Sequence, residues 1–264
     1  MGQAKDLTYS DYLKLRELLG LQRPRSSPAE HDETLFIIIH QVYELWFKQL
    51  LHEFDKIGSD FSSGDLYEAL ASLKRVRMIL KTLVGQLDVL ETMTPLSFMS
   101  FRGRLESASG FQSGQFREVE FVLGYKRRAM VEHFTPGTPE RAHLERRLAE
   151  RSLVDRFYDF VARHGVEIPD EIRNRDVTEA NRECPAIQPG LLQLYKNRPE
   201  VAIVMEMMID IDEGFQEWRY RHVKMVERTI GNKIGTGGSS GVEFLKQTLF
   251  MPLFPDLWAI RRDF

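Results

Sequence analysis

Two of the seven histidines stand where a histidine needs explaining. His222 occupies the seam Val204, Met208, Ile211, Phe215, Trp218, His222, Met225, Thr229, whose steps alternate four and three. That is the spacing of a stripe facing the inside of a helical bundle. An imidazole there must find partners for its ring nitrogens or leave a polar group buried, at about 1–3 kcal/mol. A neighbouring carbonyl could satisfy it, or it could be an iron ligand, neutral imidazole being the commonest protein metal ligand. His40 poses the same question, because Phe36, His40, Tyr43 or Glu44, and Phe47 share one helix face. Glu44, one turn on, offers a partner within the same helix. Two interior histidines on two long helices could sandwich one cofactor or flank one pocket. His31 and His52 look solvated, while His133, His143 and His164 lie in polar stretches and read as surface.

Arg102 follows the aromatic run Phe98-Met99-Ser100-Phe101 and has no acid within one turn on its amino side. It either pairs with Glu106 on the surface, worth a few tenths of a kcal/mol, or waits for a ligand carboxylate in a bidentate contact. The fourth feature is the run Gly235-Thr236-Gly237-Gly238-Ser239-Ser240-Gly241. It follows a helix that Gly231 would stop, and it lacks the Lys-Ser/Thr ending and preceding strand of a phosphate-binding loop. A linker is the plain reading. The apolar segment from Val242 to Leu253 favours a mobile loop that closes over a ligand.

The elements that must carry these residues are helices. Thr8 and Asp11 cap a short helix through Tyr9, Tyr12, Leu15 and Leu19 that ends at Gly20. The Pro/Ser/Arg-rich stretch from Gln22 to Glu30 makes it an arm on a tether. Long helices are predicted over about 32–57, 64–93 (capped by Ser63) and 200–231. Thr94-Pro95 starts a shorter one ending near Leu105, and another runs to Gly124. A smaller helical insert spans about 138–165, with starts at Thr138-Pro139 and at Ser152/Asp155, and Ile168 to Gln188 reads as a long surface connection. No period-two run with hairpin turns occurs. The expectation is therefore an all-α fold, a helical bundle with residues 1–30 as arm and linker and 31–264 as one domain.

Composition narrows the function classes. A net charge of −3 gives no electrostatic case for nucleic acid or an anionic membrane. The single cysteine, Cys184, excludes an intramolecular disulfide framework and suits a reducing compartment. With no apolar signal core and no long apolar run, the cytoplasm is expected. A helical scaffold has no use for two interior histidines plus a glycine loop, and a gas sensor would usually carry an output domain, of which the sequence gives no sign.

Six segments taken together resemble the tryptophan 2,3-dioxygenase family. They are LTYSDYLKL (Leu7–Leu15), HDETLFIIIHQVYELWFK (His31–Lys48), VLETMTP (Val89–Pro95), FRGRLESASGFQS (Phe101–Ser113), WRYRHVKMVERTIG (Trp218–Gly231) and GTGGSSG (Gly235–Gly241). The resemblance implies a haem enzyme that adds both atoms of O2 across the indole C2–C3 bond of L-tryptophan, giving N-formyl-L-kynurenine. It implies His222 as the proximal ligand of haem b and His40 as the distal partner of the indole N–H. It further implies Arg102 on the substrate carboxylate, Thr236 on the ammonium and carboxylate, and Phe36 and Leu105 as walls around the indole. Ser109 would lie near the haem, and Tyr9 and Tyr12 would reach the pocket of a neighbouring subunit in a homotetramer. Phe98 stands where many bacterial members carry tyrosine, which removes one polar contact to substrate. A relative acting on a tryptophan derivative is the enzyme alternative; retention of Arg102 and Thr236 argues for the free amino acid.

Overall fold

The computed structural model describes residues 6–237 and 240–264. Every regular element among them is helical. In chain order these are α1 (Tyr9–Leu13), α2 (Leu15–Leu18), α3 (His31–Ser63), α4 (Leu66–Leu90), α5 (Pro95–Arg102), α6 (Gly114–Val122), α7 (Arg128–Val131), α8 (Pro139–Ala149), α9 (Leu153–Arg163), α10 (Asp170–Arg173), α11 (Gln188–Asn197), α12 (Pro199–Ile230), α13 (Val242–Lys246) and α14 (Pro255–Ala259). Short 3₁₀ turns cover Gly103–Leu105, Gly110–Gln112 and Ile260–Asp263.

The core is built on α4, which packs against both α3 and α12. Its stripe Leu73, Val76, Leu80, Leu83 and Leu87 is buried, and so is the matching α12 seam of Val204, Met208, Ile211, Phe215 and Trp218. Each such side chain contributes about 1.5–3 kcal/mol by leaving water, enough to outweigh the weak autonomy of any one helix. Near its carboxyl end α12 stops at Gly231, whose φ of +59° is a conformation that a side chain would strain. The helix starts follow local chemistry. Thr94 and Thr138 cap α5 and α8, each with proline in the first turn, and Ser152 and Asp155 form the reciprocal cap of α9. Asp65, rather than Ser63, caps α4, its carboxylate accepting from the Glu68 N–H at 3.1 Å.

Three expectations need correction. The arm is two short helices, broken at Lys14 with φ +53°. Its tether is pinned in the middle, because the buried Glu33 carboxylate accepts from the Arg25 and Ser26 N–H groups at 2.6 and 2.9 Å. The segment 168–188 is only partly a surface connection: Ile168, Cys184 and Ile187 are buried, and helix α11, absent from the sequence-based expectation, follows it. The carboxyl-terminal segment docks on α12 through Asp212, whose Oδ2 accepts from Leu253 N, Phe254 N and the Trp258 indole N–H at 2.8–3.0 Å.

Candidate functional site

His40 on α3 and His222 on α12 line the same internal space. It consists of two adjoining chambers. Both chambers share His40, Leu90, Gly110, Phe111, His222, Met225 and Leu245 as walls. One extends between α3, α6 and α12, past Tyr43, Phe47, Phe116, Arg117 and Trp218. The other extends past Phe36, Phe98, Arg102, Ser109 and Thr236.

The two imidazoles differ in their partners. His40 Nδ1 lies 2.7 Å from the Phe36 carbonyl oxygen. A carbonyl only accepts, so Nδ1 carries the proton and, in the neutral ring, Nε2 keeps its lone pair. Burial lowers the His40 pKa, only partly offset by the Phe36 carbonyl and Glu44, which favours that neutral form. The plain alternative for His40 is thus half realised: its own helix satisfies one nitrogen, through Phe36 rather than Glu44, and leaves the other. His222 has no hydrogen-bond partner among the described residues. Its ring stacks on Trp218, centroids 5.1 Å apart and planes 7° from parallel. Burial, with help from His40 and Arg117, pushes its pKa down to about 4, so it too is neutral near pH 7.

Arg102 does not pair with Glu106, which instead faces Arg25 at 3.8 Å. Its Nη2 donates to the Ile234 carbonyl at 2.7 Å, tying the end of α5 to the loop after α12. Thr236 Oγ1 donates to the Ala108 carbonyl at 2.6 Å. Gly237 packs so closely that an added Cβ would come within 2.8 Å of Ser109 Cβ. The glycine loop therefore roofs the Arg102 chamber against the 103–112 segment; Gly238 and Ser239 of that run lie outside the described residues. Phe36 sits 4.1 Å from the His40 ring and 5.7 Å from Phe98, centroid to centroid.

Of the expected site residues, Phe36, His40, Phe98, Arg102, Ser109, His222 and Thr236 come together around one cavity. Leu105 does not reach its wall; it ends the 3₁₀ turn and packs half-buried against the core. Tyr9 and Tyr12 lie on the arm, 75 % and 72 % exposed.

One group was missed from sequence. Glu120 of α6, buried, accepts from Arg117 Nη1 at 2.6 Å and Arg127 Nη2 at 2.8 Å, with Arg219 Nη2 at 3.5 Å. Burial alone would raise the Glu120 pKa, but Arg117, Arg127 and Arg219 outweigh it and hold the carboxyl below its ordinary value. The i, i+3 spacing of Arg117 and Glu120 was visible, yet it reads as an exposed helix pair until Arg219 arrives from α12.

Comparison with known proteins identifies the family. The family model for tryptophan 2,3-dioxygenase matches residues 2–136 and 185–263. The chain belongs to the tryptophan 2,3-dioxygenase family. Among curated relatives, the tryptophan 2,3-dioxygenase of Herpetosiphon aurantiacus is 58 % identical over 263 residues, 100 % of this chain and 100 % of its own to the nearest per cent. That of Anaeromyxobacter sp. (strain K) is 52 % identical over 97 % of this chain and 95 % of its own. That of Kineococcus radiotolerans is 44 % identical over 98 % and 92 %. All the cavity residues named above fall inside the matched segments of the tryptophan 2,3-dioxygenase family model, whereas the unmatched stretch 137–184 carries α8, α9 and α10.

Proposed function

We propose that the cavity between α3 and α12 holds haem b on His222 and L-tryptophan beside His40, Phe36 and Arg102. The activity is that of the family: both atoms of O2 enter the indole C2–C3 bond of L-tryptophan, giving N-formyl-L-kynurenine, the first step of the kynurenine pathway. What carries the site assignment is one contrast: His222 is neutral and, among the described residues, unpartnered at the cavity wall, while His40 opposite keeps a lone pair available.

The donor set suits haem. Among the described residues no three His, Cys, Asp or Glu side chains converge as a metal cluster. A lone imidazole fits an iron that brings its other donors on a porphyrin, and the mostly apolar and aromatic walls fit the macrocycle. When bound, ferrous haem supplies the activation of O2 that closed-shell indole needs. The chain does the rest. Trp218 holds the His222 ring by stacking. His40 Nε2 accepts the indole N–H and so orients the substrate; that N–H is too weak an acid for outright deprotonation by imidazole. Arg102 and Thr236 take the carboxylate and ammonium, and Phe36 and Phe98 press on the indole. Ser109 stands by the haem. Closure of the loop expels water and fixes the geometry.

No helix among the described residues is long and apolar enough to cross a membrane, and we place the enzyme in the cytoplasm. Residues 31–264 form the catalytic domain with its insert, and 1–30 the arm and linker. The exposed arm supports a homotetramer in which Tyr9 and Tyr12 complete a neighbour's site. Leu105 acts from behind the wall, backing the segment that carries Ser109. The test is turnover of L-tryptophan under 18O2 by reduced, haem-loaded protein: two labelled oxygens in N-formyl-L-kynurenine are expected, and one labelled oxygen would refute the reaction assigned to this cavity.

A further inference from the structure

The chamber opposite the Arg102 end is lined by two carboxylates, Glu44 and Glu120, and two guanidiniums, Arg117 and Arg219. Arg117, Arg127 and Arg219 surround Glu120, three cations on one carboxylate in a buried setting. Arg219 lies over the Tyr125 ring, 5.2 Å from its centroid, and contacts the Met251 and Thr248 carbonyls at 3.2–3.4 Å, while its Nε and Nη2 have no hydrogen-bond acceptor among the described residues. Arg127 is partly exposed at the outer edge of the cluster, and its Nε is likewise unpartnered. Arg117 is the member that faces the cavity most openly. It lies over the Phe111 and Phe116 rings, 5.4 and 5.2 Å from their centroids, and donates to protein only through Nη1. Its Nε and Nη2 have no acceptor among the described residues. A guanidinium with open N–H groups suits a carboxylate.

We propose that Arg117 binds a propionate carboxylate of the haem, and that Glu120 positions it while sharing its charge with Arg127 and Arg219. The inference rests on the haem reading above. Glu120 fixes the guanidinium across the aromatic pair through Nη1, and the two outer arginines draw on the same carboxylate, so that the Nε and Nη2 of Arg117 are left for a ligand in the cavity. Arg127 then acts at a distance: it does not line the cavity, yet its removal lowers the positive potential at the anion site.

The test is binding of ferric protoporphyrin IX and of its dimethyl ester to full-length chain produced under haem limitation, followed by absorbance. The native chain is expected to favour the diacid by about a hundredfold, and Arg117→Gln to lose most of that preference. Arg127→Gln is expected to reduce it about tenfold with ester affinity unchanged, and Arg127→Lys to restore it. Equal binding of acid and ester by the native chain, or an unchanged preference in Arg117→Gln, would overturn the inference while leaving His222 ligation intact. An unchanged preference in Arg127→Gln would refute the charge-sharing role. Failure of both porphyrins to bind would overturn the haem reading itself. Arg127 is the safer site, being partly exposed, so misfolding of the Arg117 variant would not leave the proposal untested.

Discussion

At the scale of residues, the site divides its work between groups that look alike in sequence. His40 is tied through Nδ1 to Phe36, so its remaining nitrogen can only accept. His40→Ala is therefore expected to keep haem and to turn over L-tryptophan slowly but measurably, since one orienting hydrogen bond contributes only about 0.5–1.5 kcal/mol. The same substitution should cost little with 1-methyl-L-tryptophan, which has no indole N–H; steady-state rates on both substrates check this, and equal losses would remove the hydrogen-bond role. Arg102 has no carboxylate partner among the described residues and spends one N–H on the Ile234 carbonyl. Arg102→Leu is expected to lower kcat/KM for L-tryptophan roughly a hundredfold, about 3 kcal/mol, and to affect tryptamine far less. Comparable losses on both compounds would make Arg102 a fastener of the loop alone.

At the scale of elements, the sequence was readable wherever a local rule sufficed. The period of α12 put His222 on the interior stripe, Thr94-Pro95 and Ser152/Asp155 marked true helix starts, and Gly231 marked a true stop. What could not be read depends on partners distant in the chain. Helix α11 is short and carries no strong cap, so its burial comes from α12 and α14 packing on it. The Glu120 cluster needs Arg219, 99 positions on. Asp212 likewise looks like one acid on a charged helix until three donors from the carboxyl-terminal segment converge on its Oδ2. Asp212→Ala should strand those donors at on the order of 3 kcal/mol, lowering Tm by roughly 6–12 °C. Thermal unfolding followed by circular dichroism measures it. A shift under about 2 °C would mean that packing alone docks the segment.

At the scale of the whole molecule, the arm is the unfinished part. Tyr9, Tyr12 and Leu19 are each more than 70 % exposed, and no residue of α1 or α2 is buried. Helices this short are marginal without a docking surface, and the tether is held to α3 from its start, by Gln41 on Leu21 and Gln22 and by Glu33 on Arg25 and Ser26. Removal of residues 1–20 is expected to leave haem binding near normal and to abolish most turnover. Mixing that form with Arg102→Leu under subunit exchange should restore part of the activity, because a hybrid joins an intact pocket to a donated arm. No recovery after confirmed exchange would contradict a shared site. The claim that joins all three scales is that α3 and α12 enclose a single haem ligated by His222, and the measurement that tests it most directly is the reduced absorbance spectrum of His222→Gly titrated with haem, with and without added imidazole. The account expects weak, altered haem binding without imidazole and restoration of the native five-coordinate spectrum with it. A native spectrum in the variant without imidazole would contradict the account, because the iron would then be held by another residue.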